Sequence, residues 1–186
     1  VVPLAATRAG HGRRFSSRGP SYTRDVAGDI LQKYGTTDQT ITLTIASLAS
    51  TNSRESTVID NTTNLFSDAL VVLKIKTNAA GTSSSGVVYV YAYGTVDNGT
   101  TYTDTATGSD AGITQTSPTN LKLIGIINCV ANATTYKGGP FSVAQAFGGV
   151  LPAKWGIVIE NQTAAALDAT GGNHSARYQG VYGQYT

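Results

Sequence analysis

The stretch GVVYVYAYGTV, Gly86 to Val96, constrains the fold more than any other part of this chain. Its period is two. Val88, Val90 and Ala92 fall on one face of an extended segment, and Tyr89, Tyr91 and Tyr93 on the other. A helix would scatter these two sets around its axis, whereas a half-buried strand separates them cleanly. The residue types agree, because β-branched and aromatic side chains suit a pleated surface.

The same pattern recurs along the chain. TITLTIASLA (Thr40 to Ala49) sets Ile41, Leu43 and Ile45 against Thr40, Thr42 and Thr44, and predicts a strand. ESTVID (Glu55 to Asp60) predicts a shorter one. In FSDALVVLKIKTN (Phe66 to Asn78), Val71, Leu73 and Ile75 are expected inside, with Lys74 and Lys76 outside. NLKLIGIINCVA (Asn120 to Ala131) is apolar on both faces and so predicts a central strand. LPAKWGIVIENQT directs Trp155, Ile157 and Ile159 inward, and ARYQGVYGQY places Tyr178 and Tyr182 on one face.

Turn signals punctuate these runs. AAGTSSSG is a flexible turn, and Asp97-Asn98-Gly99 carries the Asn-Gly signal of a tight one. Thr100 to Pro118 reads as a long polar loop with one edge strand. After TYKGGPF, Ser142 and Gln145 have capping-box spacing and Gly148 stands where a helix should stop, so one and a half helical turns are expected. Thr23 to Tyr34 predicts a short helix, with Val26, Ile30 and Tyr34 four apart and Gly28 interrupting. About seven or eight strands with frequent turns imply an all-β chain: an antiparallel β-sandwich, jelly-roll-like, with at most short helices. Too few helices exist to connect a parallel sheet.

At 186 residues the chain is one ordinary domain with an extension. Residues 1–34 are expected to form an extended basic arm, and residues 35–186 the sandwich. A body of about 150 residues buries roughly 70% of its unfolded surface, enough for a core of its own. Cys129 is the single cysteine and excludes an intrachain disulfide framework. No apolar run approaches the length of a membrane-spanning helix, and no signal peptide is visible. The chain holds no methionine, so a leader ahead of Val1 is expected.

Charge is unevenly placed. Residues 1–34 hold Arg8, Arg13, Arg14, Arg18, Arg24 and Lys33 against Asp25 and Asp29, a net of +4 that leaves −2 of the chain's +2 on the remainder. A basic arm on a mildly acidic body is suited to meeting an acidic surface. Ordering about 20 such residues costs roughly 20–40 kcal/mol of backbone entropy, which Val1, Val2, Leu4 and Phe15 cannot offset. The arm is therefore expected to order only on a partner, through Arg8, Arg13, Arg14, Phe15, Arg18 and Arg24. Nucleic acid is the rival to a protein partner. Gly10, Gly12, Ser16, Ser17 and Gly19 dilute the basic run, and the body shows no RNA-binding signature, so protein is favoured.

Catalytic signals are missing. His11 and His174 are the only histidines, and neither has metal-ligand spacing around it. His174 with Asp168 and one of many serines could be drawn as a triad, but no nucleophile motif accompanies them; a loop residue hydrogen-bonded at an interface is expected. Asp97, Asp104 and Asp110 lie in loops that resemble calcium loops only faintly. The chain has two glutamates, Glu55 and Glu160, too few to argue a glycosidase pair. No cofactor, metal or enzymatic activity is predicted. Asn61, Asn98, Asn132, Asn161 and Asn173 each begin an Asn-X-Thr/Ser triplet, expected by chance in so Asn- and Thr-rich a chain. Tyr89, Tyr91 and Tyr93 offer a ring stripe with three readings: core packing, subunit contact, or a platform for sugar.

Arg54 to Ile75 and Phe147 to His174 resemble small structural proteins encoded by tailed bacteriophages, which share a strand-rich body, a Gly-Gly-x-Leu-Pro turn before a Trp-Gly strand, and a closing Asn-His loop. Here these are Gly148 to Pro152, Trp155-Gly156 and Asn173-His174. The resemblance covers most of residues 40–180 and does not include the arm. It implies a virion component assembled in the host bacterial cytoplasm, with no catalytic residues to carry over. The combined expectation is a non-enzymatic capsid decoration or cement protein, homo-oligomeric in a symmetric assembly and bound to capsid, neck or tail subunits, with no membrane contact. The alternatives are a neck, tail or fibre-attachment protein, a receptor- or carbohydrate-binding head, and a nucleic-acid-binding coat protein.

Overall fold

The computed structural model describes residues 28–185. Eleven strands form two antiparallel sheets, the expected β-sandwich. They are β1 (Ile30–Tyr34), β2 (Gln39–Ile41), β3 (Ser53–Glu55), β4 (Ile59–Asp60), β5 (Asp68–Lys76), β6 (Val87–Thr95), β7 (Ala111–Ile113), β8 (Lys122–Asn128), β9 (Thr135–Ser142), β10 (Lys154–Gln162) and β11 (Ser175–Tyr185). One sheet runs β1-β11-β5-β9, with β2 also on β11; the other runs β7-β3-β10-β6-β8, with β4 on β10.

The core follows the alternation. Val71, Leu73 and Ile75 of β5 are buried against Val88, Val90 and Ala92 of β6 and Trp155, Ile157 and Ile159 of β10. Lys74 and Lys76 stay half-exposed on the other face. Across the sandwich the Trp155 indole meets the Tyr178 ring edge-on, centroids 5.1 Å apart. The expected helical turns after Ser142 appear as a 3₁₀ turn, Ala144–Phe147, closed by Gly148 in the left-handed region at φ 77°.

Five local expectations are corrected, one of them the single strand over Glu55 to Asp60: β3 ends at Glu55 and β4 begins at Ile59, with residues 56–58 outside the ladder. The helix over Thr23 to Tyr34 is not present in its described part, because Ile30–Tyr34 pairs with Tyr185–Val181 as a strand. Gly28 at φ 48° breaks the helical path, and ladder bonds to β11 outweigh a weak local periodicity. Thr40 to Ala49 is a strand only through Ile41. Beyond it Ile45 remains buried and Leu43 and Leu48 pack on the core, but Ser47 at φ 57° turns the chain out of the sheet.

β8 is not central. It is the outer strand of its sheet, with Leu123 and Ile126 50% and 47% exposed. Its inward residues meet the edge of the other sheet instead of a second ladder partner: the Phe141 ring lies over Gly125, and the Ile127 side chain over Gly138.

TYKGGPF, read as a lead-in, is β9 itself. Two glycines and a proline hide it, and they sit at an irregularity in its pairing with β5 between Val71 and Leu73. Gly139 has φ 108°, and a Cβ there would stand 2.3 Å from the Val71 carbonyl oxygen. Only glycine fits this bulge.

Candidate functional site

The long loop after β6 does more than connect strands. It folds back over the outer face of the six-stranded sheet and builds a second, small core of Tyr93, Val158 and Leu121, with Tyr102, Ala106 and Ile113 packed on it. Tyr93 is 0% exposed. Its hydroxyl donates to the Ser56 carbonyl at 2.7 Å, and burial pushes its pKa well above the tyrosine range. The three-ring stripe is thereby corrected to two rings, Tyr89 and Tyr91, both half-buried, with centroids 6.2 Å apart.

Acidic side chains staple this loop. Glu55, 1% exposed, accepts the Thr107 and Gly108 amides and the Thr107 hydroxyl. Asp104 accepts from the Thr116 amide and hydroxyl, the Thr119 hydroxyl and the Asn120 amide. Burial opposes the Asp104 charge, but these bonds together hold its pKa well below the usual carboxylate range. Asp110 binds Arg54 at 2.6 Å and takes the Thr44 hydroxyl at 2.6 Å. Asp97 caps the Thr100 and Thr101 amides. Each acid has its own set of partners, and among the described residues no three His, Cys, Asp or Glu side chains form a group able to hold a metal ion.

Where the loop ends, a polar cleft of about 860 Å³ opens between residues 44–54 and residues 112–119. Glu160 and Tyr91 line it from the sheet. The Tyr91 hydroxyl donates to Glu160 Oε2 at 3.0 Å, and Gln162 Nε2 donates to Glu160 Oε1 at 2.6 Å. From the loop, Gln115 Nε2 donates to Ser53 Oγ at 2.7 Å and approaches Glu160 Oε2 at 3.5 Å. Burial, then the Glu160 charge, pushes the Tyr91 pKa up to about 12.

A second feature lies at the far end of the other sheet. β11 has β5 beside it only over Ser175–Val181. From Tyr182 to Tyr185 its ladder partner is β1, so the two strands continue past the sandwich as a two-stranded ribbon. Ile30, Leu31, Tyr34 and Tyr185 are exposed on it, Ile30 at 76%.

The remaining candidates divide as follows. Arg8, Arg13, Arg14, Phe15, Arg18 and Arg24, with His11, lie outside the described residues. The His174 ring meets the Asp168 carbonyl oxygen at 2.9 Å, not its carboxylate, and its Nδ1 accepts the Lys76 amide at 3.4 Å. It ties a loop to β5 and forms no triad. Asn61 and Asn161 are buried and hydrogen-bonded to the backbone, which closes two of the five Asn-X-Thr/Ser triplets to glycan. Cys129 is buried, and burial pushes its thiol up to about 12.

The Glu55 clasp and the cleft were not foreseen from the sequence. The only hint was chemical: two glutamates in so weakly charged a chain, both on strands. Comparison with family models, curated proteins and solved structures returns no match.

Proposed function

We propose that this chain is a non-enzymatic structural protein of a virion, of the capsid decoration or cement type, held to other virion proteins through its terminal ribbon. The observation that carries the reading is the ribbon itself. Two strands alone are marginal in water, and this pair exposes Ile30, Leu31, Tyr34 and Tyr185. Among the described strands β1 is the edge of its sheet, the kind of position at which an added strand can pair. The basic arm precedes β1 in sequence, so Arg8, Arg13, Arg14, Arg18 and Arg24 belong to the same end of the chain. The resemblance of residues 54–75 and 147–174 to tailed-phage structural proteins supplies the virion setting.

The mechanism is mechanical. The sandwich sits over a junction between major subunits, the ribbon and leader cross to the next unit, and buried area summed over symmetric copies resists internal pressure. Copy number in purified virions, read from a stained gel, tests the assignment: hundreds per particle are expected, whereas roughly a dozen would move the protein to the neck or tail. Leu31→Asp and deletion of residues 1–20 are each expected to abolish incorporation. Unchanged incorporation in both would overturn docking through this chain end.

A further inference from the structure

We propose that the cleft bounded by Tyr91, Glu160 and Gln115 binds a neutral saccharide. Its size, about 860 Å³, lies within the range of ligand pockets and admits a short oligosaccharide.

The charge of the lining selects against most other ligands. Among the described residues Arg54 is the one cation on it, and its guanidinium is held by Asp110 at 2.6 Å. Glu160 is the one anion, and no ion pair covers it among the described residues. A phosphate or other anionic ligand would face that carboxylate with no unpaired cation among the described lining residues to receive it. For a cation the lining supplies a single carboxylate, which already takes one neutral donor on each oxygen, from Tyr91 at 3.0 Å and Gln162 at 2.6 Å, and whose remaining lone pairs suffice for a hydroxyl.

Hydroxyl-rich ligands fit the remainder. The walls carry Thr51, Ser53 and Thr114, whose hydroxyls donate and accept as sugar hydroxyls do, and Thr44, Thr116 and Thr119, whose hydroxyls donate to Asp110 and Asp104 and keep lone pairs that accept. A carboxylate and a carboxamide side by side can take hydroxyls as acceptors and, through the amide, as a donor. Tyr91 adds a ring beside them, and Tyr89 extends the aromatic surface along the same strand face. Ring face for the C–H side of a sugar, and charged and neutral acceptors for its hydroxyls, are the two halves of saccharide recognition.

The cleft is built in advance. Its loop wall is anchored on both flanks, by Asp110 to Arg54 and Thr44, and by Asp104 to Thr116, Thr119 and Asn120. A pre-ordered wall spends little binding energy on ordering itself.

The test begins with the full chain on a glycan array presenting neutral and sialylated oligosaccharides. Retention of neutral glycans is expected, with sialylated ones discriminated against. Titration with the retained glycan should then weaken at least tenfold in Glu160→Gln and in Gln115→Ala, and less than threefold in Tyr91→Phe, which keeps the ring. A second readout needs no variant: backbone amide shifts on adding the retained glycan should concentrate in residues 44–54 and 112–119. Failure of the chain to retain any neutral glycan, a preference for sialylated ones, or shifts centred elsewhere would overturn the site. Because binding is read on the isolated chain, the result is independent of incorporation into particles.

Discussion

The Thr107 hydroxyl donates to the carboxylate of Glu55 at 2.7 Å across 52 residues of sequence, and the Thr107 and Gly108 amides close on the same group at 2.9 and 3.0 Å. This contact fastens the loop between β6 and β8 to the outer face of a sheet. It explains why a strand residue of the least expected type, a carboxylate, can be fully buried: its desolvation is met by several donors at once.

Replacing Glu55 with alanine strands two backbone amides beside an apolar layer. Unsatisfied buried donors cost about 1–3 kcal/mol, and bonds to a charged acceptor lie toward the top of that range. Glu55→Ala should therefore lower the unfolding free energy by about 2–3 kcal/mol in urea titrations. New protease cuts are expected between residues 97 and 120 before global unfolding. A variant with unaltered stability and no new cuts would show that the loop is held by its apolar contacts alone.

Asp104 gives the same loop a pH dependence. Its native pKa lies below the ordinary carboxylate value, because bonds from Thr116, Asn120 and Thr119 outweigh burial. A depressed acid stabilises the fold when ionised, so its contribution is complete above about pH 4 and is lost as pH falls toward the native pKa. Hydrogen-exchange protection of the 104–120 amides, taken relative to the intrinsic rate at each pH, should fall below about pH 4, and Asp104→Asn should remove that acid-induced component while loosening the loop at neutral pH.

Gly156 is expected to tolerate no side chain. It stands opposite Tyr93 in the β10–β6 ladder, and a Cβ there would fall 2.3 Å from the Tyr93 ring. The ring cannot swing away, since its hydroxyl is tied to Ser56. Gly156→Ala should cost about 1–3 kcal/mol from overpacking. Gly171→Ala, with nothing within 4 Å of its Cβ, is the control and should change stability by less than about 0.5 kcal/mol.

Trp155 is the only tryptophan and 1% exposed, so its emission should be blue-shifted in the native state and move red in one step on unfolding. Trp155→Ala should cost about 3–5 kcal/mol through the cavity left in the main core. A loss below about 1 kcal/mol would contradict the packing of Trp155 against Tyr178 in the main core.

Much of the sandwich is written in local patterns. The runs around Val71, Val88 and Ile157 alternate because one face meets a core and the other does not, and that asymmetry is visible in any single strand. The turn chemistry at Gly148 is equally local. Where the reading fails, the deciding partner is distant. Ile30 and Tyr34 keep a helical spacing yet pair with Tyr185 and Val181, at the other end of the chain. β8 carries apolar residues on both faces, but whether a strand gains one neighbour or two depends on how the opposite sheet edge closes over it. Tyr93 shares a strand face with Tyr89 and Tyr91, and only the returning loop buries it.

By itself, then, the sequence determined the class of structure, the inward sets of the long strands and the basic character of the leader, since side-chain alternation, turn chemistry and charge are properties of neighbours along the chain. Strand order, the covering of Tyr93, the protruding ribbon and the cleft at Glu160 were decided only by tertiary structure. Each depends on residues tens of positions apart meeting in space, and no short-range pattern encodes which of the available strand edges and acidic groups will meet.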